Sequence, residues 1–296
     1  MKVLICKGES RLIAIHFEER KDCVNLFEQL AMYMNEFAVY GFGGKVQKNG
    51  EEMILLNYEN EDVDFYESFH PFVASVLADY VMHTKEDEWL QDIVGSLFHV
   101  TDEEEKKQIV EIAHSILAGE RNDIPSMKPH LDRKSFLYEA FANHLDPETS
   151  FYYEPFLAFR LQDYGEILID CVELALDEYL MEQDFQNMIE SYRQYIRKTP
   201  AGMPLLHIVH EEMFTFYDQH HRKLTPEEIL FYLKQELVFE EDAALDEMVI
   251  SPLVSMAPGH VYVYSDDPDH GVVLSIQAIF QERLTISPLR DGKRPT

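Results

Sequence analysis

The strongest constraint on the fold lies in residues 69–196, where apolar side chains recur at three- and four-residue spacing almost without a break. A stretch that long with a helical period must pack helix against helix, because each apolar stripe needs another surface to cover it. Its clearest part is Leu161, Tyr164, Leu168, Cys171, Ala175 and Tyr179, a stripe whose opposite face carries Asp163, Glu166, Asp170, Glu173 and Asp177. Residues 119–130, with Pro125 and Pro129, interrupt the period and read as a loop. Thr101 with Glu104 predicts a capping box. Asp146-Pro147 and Thr225-Pro226 each predict an N-cap residue followed by proline at the first helical position.

The flanking segments change period. Residues 2–7 and 11–17 read as strands joined by the turn Gly8-Glu9-Ser10. Residues 22–40 have helical spacing ended by Gly41, Gly43 and Gly44, and Met53–Tyr58 reads as a strand after the Asn49-Gly50 turn signal. Beyond Pro200, strands are expected at 205–209, 213–217 and 260–264, and helices at 225–237 and 271–281. The expected fold class is α+β, predominantly helical. It divides into a small N-terminal α+β unit at 1–60, a helical region at 61–200, a C-terminal α/β-like part at 201–290 and a polar tail at 291–296.

Charge narrows the class of partner. With 55 acidic against 25 basic residues the formal charge is −30, and no compact Lys/Arg patch offsets it. Such a chain repels phosphate backbones and anionic membrane surfaces, so neither nucleic acid nor membrane is an expected partner. A hydrophobic content of 46% supplies enough packing material to exclude global disorder. No run approaches the roughly 20 apolar residues of a membrane span. Residues 1–17 are broken by Lys2, Lys7, Glu9, Arg11 and His16, unlike a secretory leader. Cys6, Cys23 and Cys171 are odd in number and widely spaced, which fits a reducing cytoplasm and no disulfide framework.

Few motifs carry chemistry. Gly41-Phe42-Gly43-Gly44-Lys45 lacks the spacing and the following Ser/Thr of a phosphate loop, and reads as a helix stop. His207 and His210, with Glu211 and Glu212 beside them, are weak metal-ligand candidates. On a strand, residues three apart face opposite ways, so only a helix would let the two histidines share an ion. His220 and His221 read as solvent-facing. The acidic run 265–271 lacks the terminal glutamate of a calcium loop, because position twelve from Asp266 is Gln277. The acidic clusters at 101–105 and 240–242 suit helix N-termini. No serine-nucleophile elbow is present, and no cofactor is expected.

Phe156, Phe159, Arg160, Leu161, Asp163 and Tyr164 form a block that continues through Ala175, Asp177, Glu178, Tyr179 and Glu182. A second block runs from Glu247 through Ile250, Ser251, Leu253, Ala257 and Pro258 to Ile276, Ile279, Phe280, Glu282, Arg283 and Leu284. Together they resemble the YtxC-like family of endospore-forming bacteria, over roughly the C-terminal half. The resemblance implies a role in sporulation and no particular reaction. Family members often end in a cysteine-containing tail; residues 285–296 contain no cysteine, so no metal or redox role of such a tail carries over.

Within the first block Phe156, Phe159 and Tyr164 read as helix-core aromatics, and Phe159, Arg160, Asp163 and Tyr164 are the candidate ligand or partner contacts. Arg160 is a cation in a highly acidic chain, suited either to a local salt bridge or to anchoring an anionic group through its bidentate fork. The expected function is an unidentified protein–protein contact in the cytoplasm during sporulation, without catalysis. The alternative is a hydrolase or nuclease-like enzyme with an acidic and histidine site in the C-terminal part.

Overall fold

The computed structural model describes residues 11–60, 62–121, 133–234 and 248–289. The strand expected at 2–7, most of the loop at 119–130, the acidic cluster at 240–242 and the tail at 291–296 lie outside them. The chain is predominantly helical with two four-stranded sheets among the described residues, an α+β fold. It forms two compact units, Met1–Tyr179 and Leu180–Thr296. No helix among the described residues is long and apolar enough to cross a membrane.

The first unit opens with β1 (Arg11–His16), α1 (Arg20–Ala38), β2 (Gly44–Lys48) and β3 (Met53–Tyr58). Alternation places Ile13 and Ile15 of β1 and Ile54, Leu56 and Tyr58 of β3 in the core. Leu26, Leu30 and Met34 of α1 join the same core at helical spacing. α1 stops where the chain turns at Gly41, whose φ of 82° only glycine adopts without strain. The sheet order is β2-β3-β1-β4, with β4 (Ser150–Tyr152) parallel to β1 and Ala14 opposite Ser150. Between β3 and β4 come α2 (Phe69–Tyr80), α3 (Glu86–Asp92), α4 (Glu103–Leu117) and α5 (Arg133–Ala142). α2 runs into α3 through a π-helical turn at Val81–Lys85, and a second π turn at Ile93–Leu97 follows α3. Then α6 (Tyr153–Arg160) meets α7 (Gln162–Lys198) at an elbow on Leu161. In α7 the predicted stripe is seated as expected, with Tyr164, Leu168, Cys171 and Ala175 fully buried.

The second unit takes Ile189, Tyr192 and Ile196 from the rest of α7 into its core. It continues with β5 (Leu205–His210), β6 (Phe214–Tyr217), α8 (Pro226–Tyr232), α9 (Ile250–Met256), β7 (His260–Ser265), α10 (Gly271–Phe280) and β8 (Leu284–Ser287). Its sheet order is β6-β5-β7-β8, with β5, β7 and β8 parallel and β6 antiparallel to β5. Leu206, Ile208, Val261 and Val263 form the buried face, packed with Val273, Ile276 and Phe280 of α10. α10 is thus the crossover of a strand–helix–strand unit.

Three local expectations are corrected. α4 is capped by Asp102, whose carboxylate accepts from the amides of Glu104 and Glu105 at 3.0 Å each, and not by Thr101. The helix begins one residue later than expected, where a charged acceptor also meets the positive end of the helix dipole. Asp146-Pro147 starts a turn instead of a helix. The Asp146 amide donates to the Thr149 hydroxyl at 2.7 Å, and Glu148 has a φ of 74°, which no helix continues. α8 has Thr225 as its predicted N-cap before Pro226, completed by a capping box with Glu228, but ends at Tyr232, because Leu233 is already extended.

Candidate functional site

A π turn inserts an extra residue into the helical repeat and shifts the faces of the residues around it. Lys85 and Glu86 stand at the junction of the first π turn with α3. They are 7% and 2% exposed, which is rare for charged side chains and demands partners. They line two different pockets of the first unit.

Lys85 Nζ lies 2.7 Å from Asp22 Oδ2 and donates to Glu88 Oε2 at 2.9 Å, with Glu19 at 3.9 Å. The Asp22 contact is an ion pair whose angle misses hydrogen-bond geometry. Asp22 is itself buried and accepts from the Tyr80 hydroxyl at 2.9 Å. Burial pulls the Lys85 pKa down, but the Asp22 and Glu88 carboxylates outweigh it and hold the ammonium above its ordinary value. The hydrogen bond from Lys85 is the main reason that the Glu88 carboxyl is held below its usual range. Lys85 is therefore charged and already neutralised from behind.

The pocket in front of Lys85 measures about 450 Å³. Trp89, Asp92 and Ile93 form one wall, all on the helix that carries both π turns. Leu157, Leu161, Gly165, Leu168 and Ile169 form the other wall at the α6–α7 elbow, and Glu19 and Glu154 complete the lining. Glu154 has a second task. Its carboxylate accepts from the amides of Glu18 at 3.0 Å and Glu19 at 3.2 Å, satisfying donors at the start of α1 that no local side chain caps. A Cβ built on Gly165 meets no atom within 4 Å, so neighbouring atoms do not require glycine at this helical position.

The second pocket, about 600 Å³, is lined by Glu86, Asp87, Glu111, His114, Glu120 and Arg133, among others. Arg133 donates to Glu86 Oε1 at 2.6 Å and the Tyr164 hydroxyl donates to Glu86 Oε2. His114 sits between two carboxylates, with Nδ1 4.0 Å from Glu86 Oε1 and Nε2 3.1 Å from Asp87 Oδ1. Burial and the nearby Glu86 charge lift the Tyr164 pKa, which keeps the hydroxyl a donor. The same two effects push the Cys171 thiol up to about 12, so this sulfur is a core group and not a nucleophile.

The residues singled out from the sequence separate into inside and outside. Phe156 and Tyr164 are buried as expected, Tyr164 on Glu86, but Phe159, expected in the helix core, is 74% exposed, and Arg160 and Asp163 also face solvent. Arg160 makes no ion pair among the described residues. His207 and His210 lie on β5, three residues apart, in the second unit. The His207 ring is buried against Tyr262 at 5.3 Å and His221 at 4.3 Å, with Nδ1 3.2 Å from the Tyr264 hydroxyl. His210 stacks on Phe214 at 4.2 Å, and its Nδ1 lies 2.8 Å from Ser265 Oγ. Burial holds both imidazoles below the usual histidine pKa, aided by His221 and His270 respectively. Among the described residues no group of three or more His, Cys, Asp or Glu is placed to hold a metal ion. Lys85, Glu86 and Trp89 were not legible in the sequence: a charged pair in an amphipathic helix reads as its solvated face, and π turns leave no compositional signal.

The walls of both pockets on α3, α4, α5, α6 and α7, together with β5, β6 and β7 of the second unit, fall within residues 71–285. That span matches the model of the YtxC-like family. A protein of Bacillus subtilis (strain 168) with the printed name "Uncharacterized protein YtxC" is 34% identical over 218 residues, covering 74% of this chain and 77% of the relative. No solved structure matches the chain. With most of the chain matched by the family model, including the helix that divides the two pockets, the protein belongs to the YtxC-like family.

Proposed function

We propose that this is a cytoplasmic sporulation protein that works by contacting another protein, and that Phe159, Arg160 and Asp163 at the α6–α7 elbow form the contact. The observation that carries the reading is the exposure of Phe159, at 74%. A phenylalanine this exposed forgoes about 1.5–3 kcal/mol of burial. Tyr152, the last residue of β4 and 59% exposed, immediately precedes α6 and is a second exposed aromatic of this segment. Arg160 follows directly, and aromatic residues with arginine are the types that dominate binding energy at interfaces. Tyr164 supports the elbow from inside through Glu86. Sporulation as the process is what the family resemblance implies.

The test compares tagged wild type with Phe159→Ala and Arg160→Ala, each purified from growing and from sporulating cells. A partner captured by wild type only in sporulating cells should be lost at least tenfold with Phe159→Ala, while the variant melts at the wild-type temperature. Undiminished capture by both variants, or normal spore yield after deletion of the gene, would sink the proposal.

A further inference from the structure

The pocket in front of Lys85 has a chemistry that the contact surface does not use. Its walls are apolar, from Trp89, Ile93, Leu157, Leu161 and Leu168, and its lining carboxylates Glu19, Asp92 and Glu154 outnumber its one cation three to one. That cation is Lys85, whose ammonium is taken up by Asp22 and Glu88. Asp92 makes no ion pair among the described residues. Glu19 lies 3.9 Å from Lys85 Nζ and Glu154 accepts two backbone amides, so Asp92 is the uncompensated carboxylate; an anion would be repelled by it, and a neutral apolar molecule would leave it unused. A cation with a hydrocarbon body satisfies both, and the face of Trp89 adds attraction for an ammonium.

Gly165 is a second, independent observation. It sits in the first turns of α7, with its amide donating to Leu161 O at 2.9 Å, and lines the same pocket. Glycine in a helix costs about 0.5–1 kcal/mol relative to alanine. The φ here is not the left-handed kind that glycine relieves, and a Cβ meets no atom within 4 Å. Neither packing nor backbone explains the glycine; open space in front of it does. We infer that this pocket binds a small protonated aliphatic amine, with the hydrocarbon chain along the α6–α7 elbow and the ammonium at Asp92 beside the face of Trp89. This goes beyond the protein contact and stands without it, because Phe159, Arg160 and Asp163 are not among the residues that line the pocket.

Trp89 is the chain's single tryptophan, so tryptophan emission excited selectively over the 16 tyrosines reports this pocket. The full chain would be titrated at pH 7 with n-hexylamine, and in parallel with n-hexanol and hexanoate as isosteric controls. The expected result is a saturable change with hexylamine that is at least tenfold weaker with both controls and weakened several-fold in Asp92→Asn. Gly165→Leu should abolish the response while melting at or above the wild-type temperature. An equal response to hexanol, no saturable response to hexylamine, or undiminished binding in Asp92→Asn would each overturn the inference. Should Gly165→Leu fail to fold, the exposed Asp92→Asn change decides alone. Loss of amine binding in a protein that still captures its partner would leave the contact proposal untouched.

Discussion

Glu86 accepts from Arg133 and from the Tyr164 hydroxyl and is 2% exposed. Removing its carboxylate strands a fully buried hydroxyl and a half-buried guanidinium from different helices, and the cost of such a stranded pair exceeds anything the pair itself contributed. Glu86→Ala is expected to destabilise the first unit by about 3–5 kcal/mol, seen as a lowered urea midpoint. Asp163→Ala, an acidic residue on the exposed face of α7, should change stability by no more than about 0.5 kcal/mol. The contrast separates carboxylates that hold the fold from those that only face solvent, a distinction invisible among 55 acidic residues in the sequence. Equal effects of the two substitutions would mean that the Glu86 network carries no structural weight.

At the scale of elements, legibility followed locality. β3 was readable from Met53–Tyr58 because its alternation is strict, and α8 because Thr225, Pro226 and Glu228 start a helix by local hydrogen bonds alone. α4 shows how narrow the margin is. Asp102→Ala should cost about 1 kcal/mol by loss of the cap, while Thr101→Ala should be near neutral, as thermal melts of the two would resolve. The reverse order would restore Thr101 as the cap. β4 has only three residues and owes its place to pairing with β1, a partner far away in the chain, so no local pattern announces it. The π turns are equally silent, and with them went the site at Lys85 and Glu86. What the family blocks did mark, Phe159 to Tyr164, is the elbow whose inner side walls one pocket and whose outer side is bare.

For the whole molecule, a formal charge of −30 means that folding gathers repelling carboxylates into a small volume. Among the described residues Asp22, Glu86 and Glu88 are answered by buried or half-buried cations. Raising ionic strength from about 0.01 M to about 0.15 M shortens the screening length from roughly 30 Å to roughly 8 Å. The melting temperature should therefore rise over that range, and a fall would mean that attractive pairs outweigh repulsion. The two units draw on separate cores, and the first unit's sheet joins the more remote segments, β1 with β4. That sheet has a consequence in time. β1 lies between β3 and β4, so during synthesis its outer edge waits for Ser150 to leave the ribosome. At about 5–20 residues per second the stretch between Tyr58 and Ser150 takes on the order of 10 s to appear. For that interval a strand carrying Ile13 and Ile15 has one side open to any passing chain, which makes the nascent protein a natural client for a chaperone.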